Sequence, residues 1–226
     1  MTAGICSGRA GLTTPVLLKL KRQESSALAA LEGSYELLEY LGAGAHGRVS
    51  LAREVRTGAL RAVKSVVKQE QSSSSREPGI LRSLCHRNIQ RFVDFFEDPD
   101  ECHIVCELCE GCDLQQLAWP LAIEAVHQVI ESLADAMKYL HANDVAHCDV
   151  KAENVILAPD GVTVVLIDFG AAVRLSAFPK IAAALVEEDW RALAKLRTRL
   201  LAASAQDCLT EVFTSSSSSS SQASNF

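Results

Sequence analysis

Along residues 35–113 apolar and polar positions alternate in short runs, and from residue 121 the apolar positions recur at three- and four-residue steps. Arg48-Val49-Ser50-Leu51-Ala52-Arg53-Glu54-Val55 sets polar residues outward and apolar residues inward, the pattern of a half-buried strand. Tyr35 to Leu41 reads as a strand leading into a glycine-rich turn. Thr57-Gly58 supplies a hairpin turn, and Leu60 to Val67 forms a third strand. A polar, serine-rich loop (Gln69 to Ser75) precedes a short helix at Ile80 to Leu84. Arg91 to Glu97 and Cys102 to Leu108, joined by the Asp98-Pro99-Asp100 turn, complete a five-stranded antiparallel lobe with one helix.

Val126, Val129, Ile130, Leu133, Met137 and Leu140 form the stripe of an amphipathic helix that carries the chain to His141. Pro159-Asp160-Gly161 turns a small ribbon whose second strand, Val164 to Ile167, ends at Asp168, and Ala182 to Ala202 is helical again. The fold class is α+β. Residues 1–34 form an N-terminal extension without strong pattern, although Ser25 to Leu31 is compatible with a short helix. The expected domain covers 35–213, with an N-lobe of 35–108 and a C-lobe of 109–213. The serine run Ser215–Ser221 cannot bury surface, so 214–226 is expected to be disordered.

Composition narrows the picture. A chain of 226 residues, 48% hydrophobic, can bury a sizeable core. No apolar run approaches the length of a membrane-spanning helix. The longest apolar patch near the start, Pro15-Val16-Leu17-Leu18, is broken at once by lysine, so neither a secretory signal nor a membrane partner is expected. The net charge of −6 argues against nucleic acid as a partner. Eight cysteines without a signal suggest reduced thiols in an intracellular, cytoplasmic setting. Cys102, Cys106, Cys109 and Cys112 have spacings that a metal or iron–sulfur site can use. Buried thiols are the stronger reading, because Cys106 falls in an apolar strand that turns neighbouring side chains to opposite faces.

The candidate chemistry is concentrated in two places. Gly42-Ala43-Gly44-Ala45-His46-Gly47-Arg48-Val49 is a G-x-G-x-x-G-x-V run, whose glycines let backbone fold tightly over phosphates. A dinucleotide-binding turn shares these glycines but needs a helix straight afterwards, and here a strand follows. Farther on, His147-Cys148-Asp149-Val150-Lys151-Ala152-Glu153-Asn154 places a carboxylate, a lysine and an asparagine within six residues, and Asp168-Phe169-Gly170 follows the ribbon. Phosphoryl transfer needs an acceptor that orients a hydroxyl, a cation on the γ-phosphate, and oxygen ligands for magnesium.

In this order the motifs resemble those of the eukaryotic-type Ser/Thr protein kinase family. The resemblance implies a bilobal fold with a five-stranded N-lobe and a mainly helical C-lobe, with ATP and Mg2+ as cofactors and a protein Ser/Thr hydroxyl as acceptor. It implies that Asp149 takes the acceptor proton, that Lys151 steadies the γ-phosphate, and that Asn154 and Asp168 hold magnesium. Gly42, Gly44 and Gly47 would form the flap. Lys64, in Ala62-Val63-Lys64, would pair the phosphates with Glu77 as its partner. Because Pro78 follows, Glu77 would sit at the edge of a shortened helix and the pair could be loose. Glu107 and Cys109 would offer hinge backbone to adenine, with Cys106 as gatekeeper. Val49 and Ala62 would cover the base, Ile156 would lie beneath it, and Asp113 would take the ribose. Lys151 favours the Ser/Thr branch, and the wording of residues 95–98 and 107–111 resembles calcium/calmodulin-type kinases.

Three departures qualify the resemblance. Cys148 replaces the arginine that normally precedes the catalytic aspartate, so control through a phosphorylated activation loop is not expected. No Ala-Pro-Glu motif follows Gly170. Asp189-Trp190-Arg191 already resembles the start of the central C-lobe helix, whose aspartate braces the catalytic loop. The C-lobe is therefore cut down, and the apolar face of the 121–141 helix is expected to lack part of its cover and to need a protein partner. A second reading follows, a truncated kinase-like (pseudokinase) module that binds nucleotide or acts as a scaffold without turnover.

Overall fold

The computed structural model describes residues 26–44, 47–68, 76–117 and 121–217. Strands β1 (Tyr35–Gly44), β2 (Gly47–Glu54), β3 (Leu60–Val67), β4 (Phe92–Glu97) and β5 (Glu101–Glu107) form one antiparallel sheet in the order β1-β2-β3-β5-β4. Period-two alternation gives this sheet two different faces. Val63 and Val105 pair directly and are fully buried on the outer face with Tyr35 and Ala52. Ile104 and Cys106 turn inward to a second core that continues into the C-lobe.

Helix α1 (Ser26–Glu32) covers the outer face. Leu31 is 0% exposed among Val63, Val105 and Tyr35, and the Ala27 N–H donates to Asp98 Oδ2 at 3.0 Å. Packing of the N-lobe therefore begins ahead of Tyr35, within the stretch expected to be an extension. Helix α2 is a short piece at Glu77–Leu81, earlier than the expected Ile80–Leu84. Pro78 sits in its first turn, where a fixed φ suits the helix and a missing N–H costs nothing.

The chain then crosses to the C-lobe through β6 (Cys112–Asp113). Helix α3 (Ile123–Ala142) follows, then β7 (Val145–Ala146), a 3-10 turn at Ala152–Asn154, the ribbon β8 (Val155–Leu157) and β9 (Val164–Leu166), and β10 (Val173–Arg174). Gly111 is required at the crossing: its φ is +126°, and a Cβ there would lie 2.1 Å from the Leu157 carbonyl oxygen. The last helix, α4, runs Ala182–Ser217, well beyond the expected end at Ala202, and no glycine or proline interrupts it. Of the tail expected to be disordered, 214–217 belong to this helix and 218–226 lie outside the described residues.

The expectation of an incompletely covered helix is not met. Val126, Val129, Leu133, Ala136, Met137 and Leu140 of α3 are all buried, and all but Val126 belong to one core with Leu193 and Leu196 of α4 and Leu166 of β9. By starting soon after the Asp168 loop, α4 itself supplies the cover. Among the described residues no helix is long and apolar enough to cross a membrane.

Replacing Leu31 with alanine removes a fully buried side chain. It should lower unfolding free energy by roughly 3 kcal/mol in urea titrations; a loss below about 1 kcal/mol would mean that α1 is not part of the cooperative unit.

Candidate active site

The catalytic-loop stretch is seated on a buried carboxylate. Asp189, 1% exposed near the start of α4, accepts the His147 N–H on Oδ2 at 2.9 Å and the Cys148 N–H on Oδ1 at 2.8 Å. His141, in the last turn of α3, donates to Oδ2 at 2.9 Å. Cys148 holds φ 62°, a left-handed conformation that costs a non-glycine residue about 1–2 kcal/mol. Two charge-assisted hydrogen bonds to the peptide offset that cost. The His147 ring is buried in edge-to-face contact with Phe169, with ring centroids 4.8 Å apart. Its Nε2 donates to the Ile167 carbonyl at 3.2 Å while Nδ1 accepts the Asp149 N–H at 3.3 Å. The two loops are thereby fixed to each other.

Lys64 lies at the centre of the second group. Its Nζ donates to both carboxylate oxygens of Glu77 at 2.8 Å and to Asp168 Oδ1 at 2.6 Å. The Lys64–Glu77 pair is therefore closed, not loose. Proline at the second position of α2 places Glu77 at the helix edge, as expected, and the edge is close enough to β3 for contact. Burial is the largest influence on Lys64 and lowers its pKa, but the charges of Glu77 and then Asp168, with their hydrogen bonds, outweigh it and leave the value raised. The ammonium stays charged throughout the neutral range.

Asp149, Lys151 and Asn154 form the third group. Lys151 Nζ meets Asp149 Oδ2 at 2.7 Å, and Asn154 Nδ2 donates to the same oxygen at 3.0 Å and to the Asp149 carbonyl at 2.8 Å. The Asn154 carbonyl accepts the Ile167 N–H at 2.9 Å, which ties Asn154 to the strand that delivers Asp168. Asp168 itself adopts φ 59°. Asn154 commits its amide nitrogen to Asp149, which leaves its amide oxygen and the Asp168 carboxylate as the oxygen donors of the two loops. A hard, all-oxygen pair of this kind fits magnesium.

The nucleotide-facing residues are gathered only in part. Val49 and Lys64 are direct cross-strand partners, and Ala62 pairs with Cys106, so all four share the inner face of the sheet. Gly42 pairs with Val49, and Gly44 with Gly47 at the hairpin end. A Cβ on Gly47 would lie 2.6 Å from the Ser65 carbonyl oxygen, so only glycine fits. Ala45 and His46 lie outside the described residues. At the hinge the Glu107 N–H is taken by the Arg91 carbonyl, whereas the Cys109 N–H donates to no acceptor among the described residues. Asp113 Oδ1 already accepts the N–H groups of Gln115 and Gln116 at 2.9 Å. Glu107, Cys109 and Ile156 line a cavity of about 710 Å³ behind the hinge, which Val49 and Ala62 do not reach.

The cysteine cluster needs one correction. Cys102 and Cys106 are both buried on the inner face, not on opposite faces. Four residues of strand nonetheless separate them by about 13 Å, too far to share an ion. Burial pushes the Cys106 thiol up to about 12.

A fold of this kind, with a glycine hairpin above a lysine–glutamate pair and an aspartate-seated loop beneath, defines a phosphoryl-transfer class of protein. The protein kinase domain family matches residues 35–205, and the chain belongs to that family. It is 34% identical over 137 residues to serine/threonine-protein kinase 33 of Mus musculus, covering 57% of this chain and 28% of that protein. Identity is 35% over 151 residues to an Aurora kinase of Schizosaccharomyces pombe, covering 63% and 42%. It is 37% over 154 residues to CBL-interacting protein kinase 4 of Oryza sativa, covering 63% and 34%. The chain thus spans less than half the length of these relatives.

Sequence reasoning missed His141 and the direct contact of Lys64 with Asp168. A histidine closing a long amphipathic helix just ahead of the motif was the available signal for the first. Nothing local signals the second.

His86, His103 and His147 are each lowered from 6.5, in every case chiefly by burial. The unfolded chain therefore takes up protons near pH 6.5 while the folded chain resists to lower pH. Stability is complete above pH 6.5 and is lost as pH falls through the depressed folded values. Urea midpoints should drop between pH 7.5 and 5.5, above the carboxylate range; a flat profile would contradict the neutral burial of these rings.

Proposed function

We propose that the chain is an ATP-dependent protein serine/threonine kinase that transfers the γ-phosphate to a protein hydroxyl. The observation that carries this reading is the closed contact of Lys64 with both Glu77 and Asp168, next to an Asp149 that is itself bound by Lys151 and Asn154. Side chains far apart in the sequence meet with the charges that a triphosphate and an acceptor hydroxyl require. Glycine flap, hinge and loop support the same reading. The working unit is 35–213, braced on the outside by α1.

Lys64 pairs with the phosphates from above while Glu77 holds its ammonium in place. The unpaired Cys109 N–H and the Glu107 carbonyl receive adenine, Val49 and Ala62 close over the base with Ile156 below, and the second carboxylate oxygen of Asp113 takes the ribose. Asp149 orients the acceptor hydroxyl and accepts its proton, and Lys151, already on the Asp149 carboxylate, steadies the γ-phosphate. Asn154 and Asp168 hold magnesium, which when bound neutralises charge developing on the phosphate oxygens. Positioning and fixed charge account for the rate, since the protein makes no bond to the substrate. The seated loop and the closed ion pair support turnover over a scaffold role.

Asp149→Asn should retain stabilisation by Mg-ATP in a thermal-shift titration and lose phosphotransfer to a mixed protein substrate by at least about 100-fold, the size of a general base contribution. Wild-type protein that is stabilised by Mg-ATP but labels nothing would overturn the kinase reading. Lys64→Met should instead weaken the Mg-ATP shift itself, because it removes a ground-state phosphate contact.

A further inference from the structure

The chain that leaves Asp168 is fastened again a few residues later. Beyond the buried Phe169 it turns, with the Ala172 N–H on the Phe169 carbonyl at 3.0 Å. It then enters β10, where Val173 pairs with Ala146 and Arg174 with Val145 of β7. A 3-10 turn at Leu175–Ala177 follows, and the side chain of Arg174 does not cap it. Asp144, directly ahead of β7, does so from outside. Its carbonyl accepts the Leu175 N–H at 2.9 Å, its Oδ1 accepts the Ser176 N–H at 2.8 Å, and its Oδ2 accepts the Ser176 hydroxyl. Asp144 holds φ 64°, a left-handed shape that aspartate tolerates better than most residues. Beside it the Arg174 guanidinium donates to the Asn143 carbonyl at 3.1 Å and to the Ser83 hydroxyl at 2.6 Å. Ser83 in turn donates to the Ile80 carbonyl of α2 at 2.7 Å. One clamp thus reaches from the chain behind Asp168 to the helix that carries Glu77.

We propose that Asp144, given the kinase reading above, is a positioning residue for phosphoryl transfer: by capping the Leu175–Ala177 turn it keeps the Asp168 carboxylate on Lys64 and available to magnesium. Asp168 stands at φ 59°, a conformation that its neighbours must impose from both sides. On the near side the Ile167 N–H is held by the Asn154 carbonyl at 2.9 Å. On the far side β10 is only two residues long, and so short a ladder holds little by itself. Cys148 stays a neutral thiol, pushed up to about 11 by burial and then by Asp189. The charged hold on this segment therefore comes from the other end of β7, where a carboxylate accepts from both the N–H and the hydroxyl of Ser176. Asp144 touches neither nucleotide nor acceptor. Its effect lies in the fraction of molecules with Asp168 in place, and a ligand that needs that state binds more weakly in proportion as the fraction falls.

Variants of the full chain separate the carboxylate from the turn it sits in. Asp144→Gly keeps the left-handed backbone, which glycine adopts freely, and removes both carboxylate oxygens. Asp144→Asn also keeps it and still offers Ser176 an acceptor and a donor. Without nucleotide, Asp144→Gly should exchange amide hydrogens over 168–176 about tenfold faster than wild type, with exchange over α3 unchanged. The Mg2+ concentration giving half of the ATP-dependent thermal shift, and half of the maximal phosphotransfer rate, should rise about tenfold. The rate at saturating Mg2+ should approach that of wild type, because the ligand draws Asp168 back into place. Asp144→Asn should restore the exchange rate and the Mg2+ requirement to within about threefold. Ser176→Ala should produce a smaller change alone and add nothing on top of Asp144→Gly. Unchanged exchange over 168–176, a lower maximal rate with an unchanged Mg2+ requirement, or full additivity of Ser176→Ala with Asp144→Gly would each overturn the assignment. A wild-type chain without turnover would instead overturn the kinase reading, and nucleotide-free exchange would still decide whether Asp144 holds the segment.

Discussion

Much of the site depends on one buried carboxylate. Asp189 receives two successive peptide N–H groups and an imidazole, and in doing so holds Cys148 in a backbone conformation it would not adopt alone. A desolvated carboxylate is tolerable only when its oxygens are satisfied, and here three donors satisfy them. The dependence runs both ways. The loop needs the carboxylate to keep its shape, and the carboxylate needs the loop in order to be buried. Because Asp189 lies on the helix that also covers α3, the seat of the loop and the C-lobe core form together.

The second constraint joins the lobes. Phe169 is fully buried in the core that contains Leu81 of α2 and Ile104 of β5 as well as Leu133 and Met137 of α3. On this apolar link the Lys64 contacts add a charged one, 104 residues apart in sequence at Asp168. Apolar packing fixes the distance between the lobes, and the charges fix which side chains meet across it. Neither contribution would place Asp168 by itself, since a residue at φ 59° has no intrinsic reason to hold that shape.

Alternation made the sheet legible, because strands buried on one face advertise it at every second residue; β3 has the bounds that its pattern implies. The long stripe of α3 was equally plain. The short helices were not. Five residues cannot establish a helical period, so the apolar pattern alone points to Ile80–Leu84, whereas Glu77-Pro78 marks the edge from which the helix actually starts. Helix α4 continues past the expected end at Ala202 because no glycine or proline breaks it. At the site, motif order identified Asp149, Lys151, Asn154 and Asp168 as a set. The partners of Lys64 and the role of His141 depend on contacts between distant segments and leave no local trace. The cover on α3 leaves no trace for a related reason: the absence of a motif says nothing about surface, and a single helix supplies it.

Helix α1 carries a further implication. It lies on Val63 and Val105, whose side chains point away from the face that presents Val49, Ala62 and Lys64. A substitution on this helix would therefore reach the nucleotide-facing side chains only through the thickness of the sheet, and would be felt as slackening of the whole lobe before any single contact in the cleft is lost.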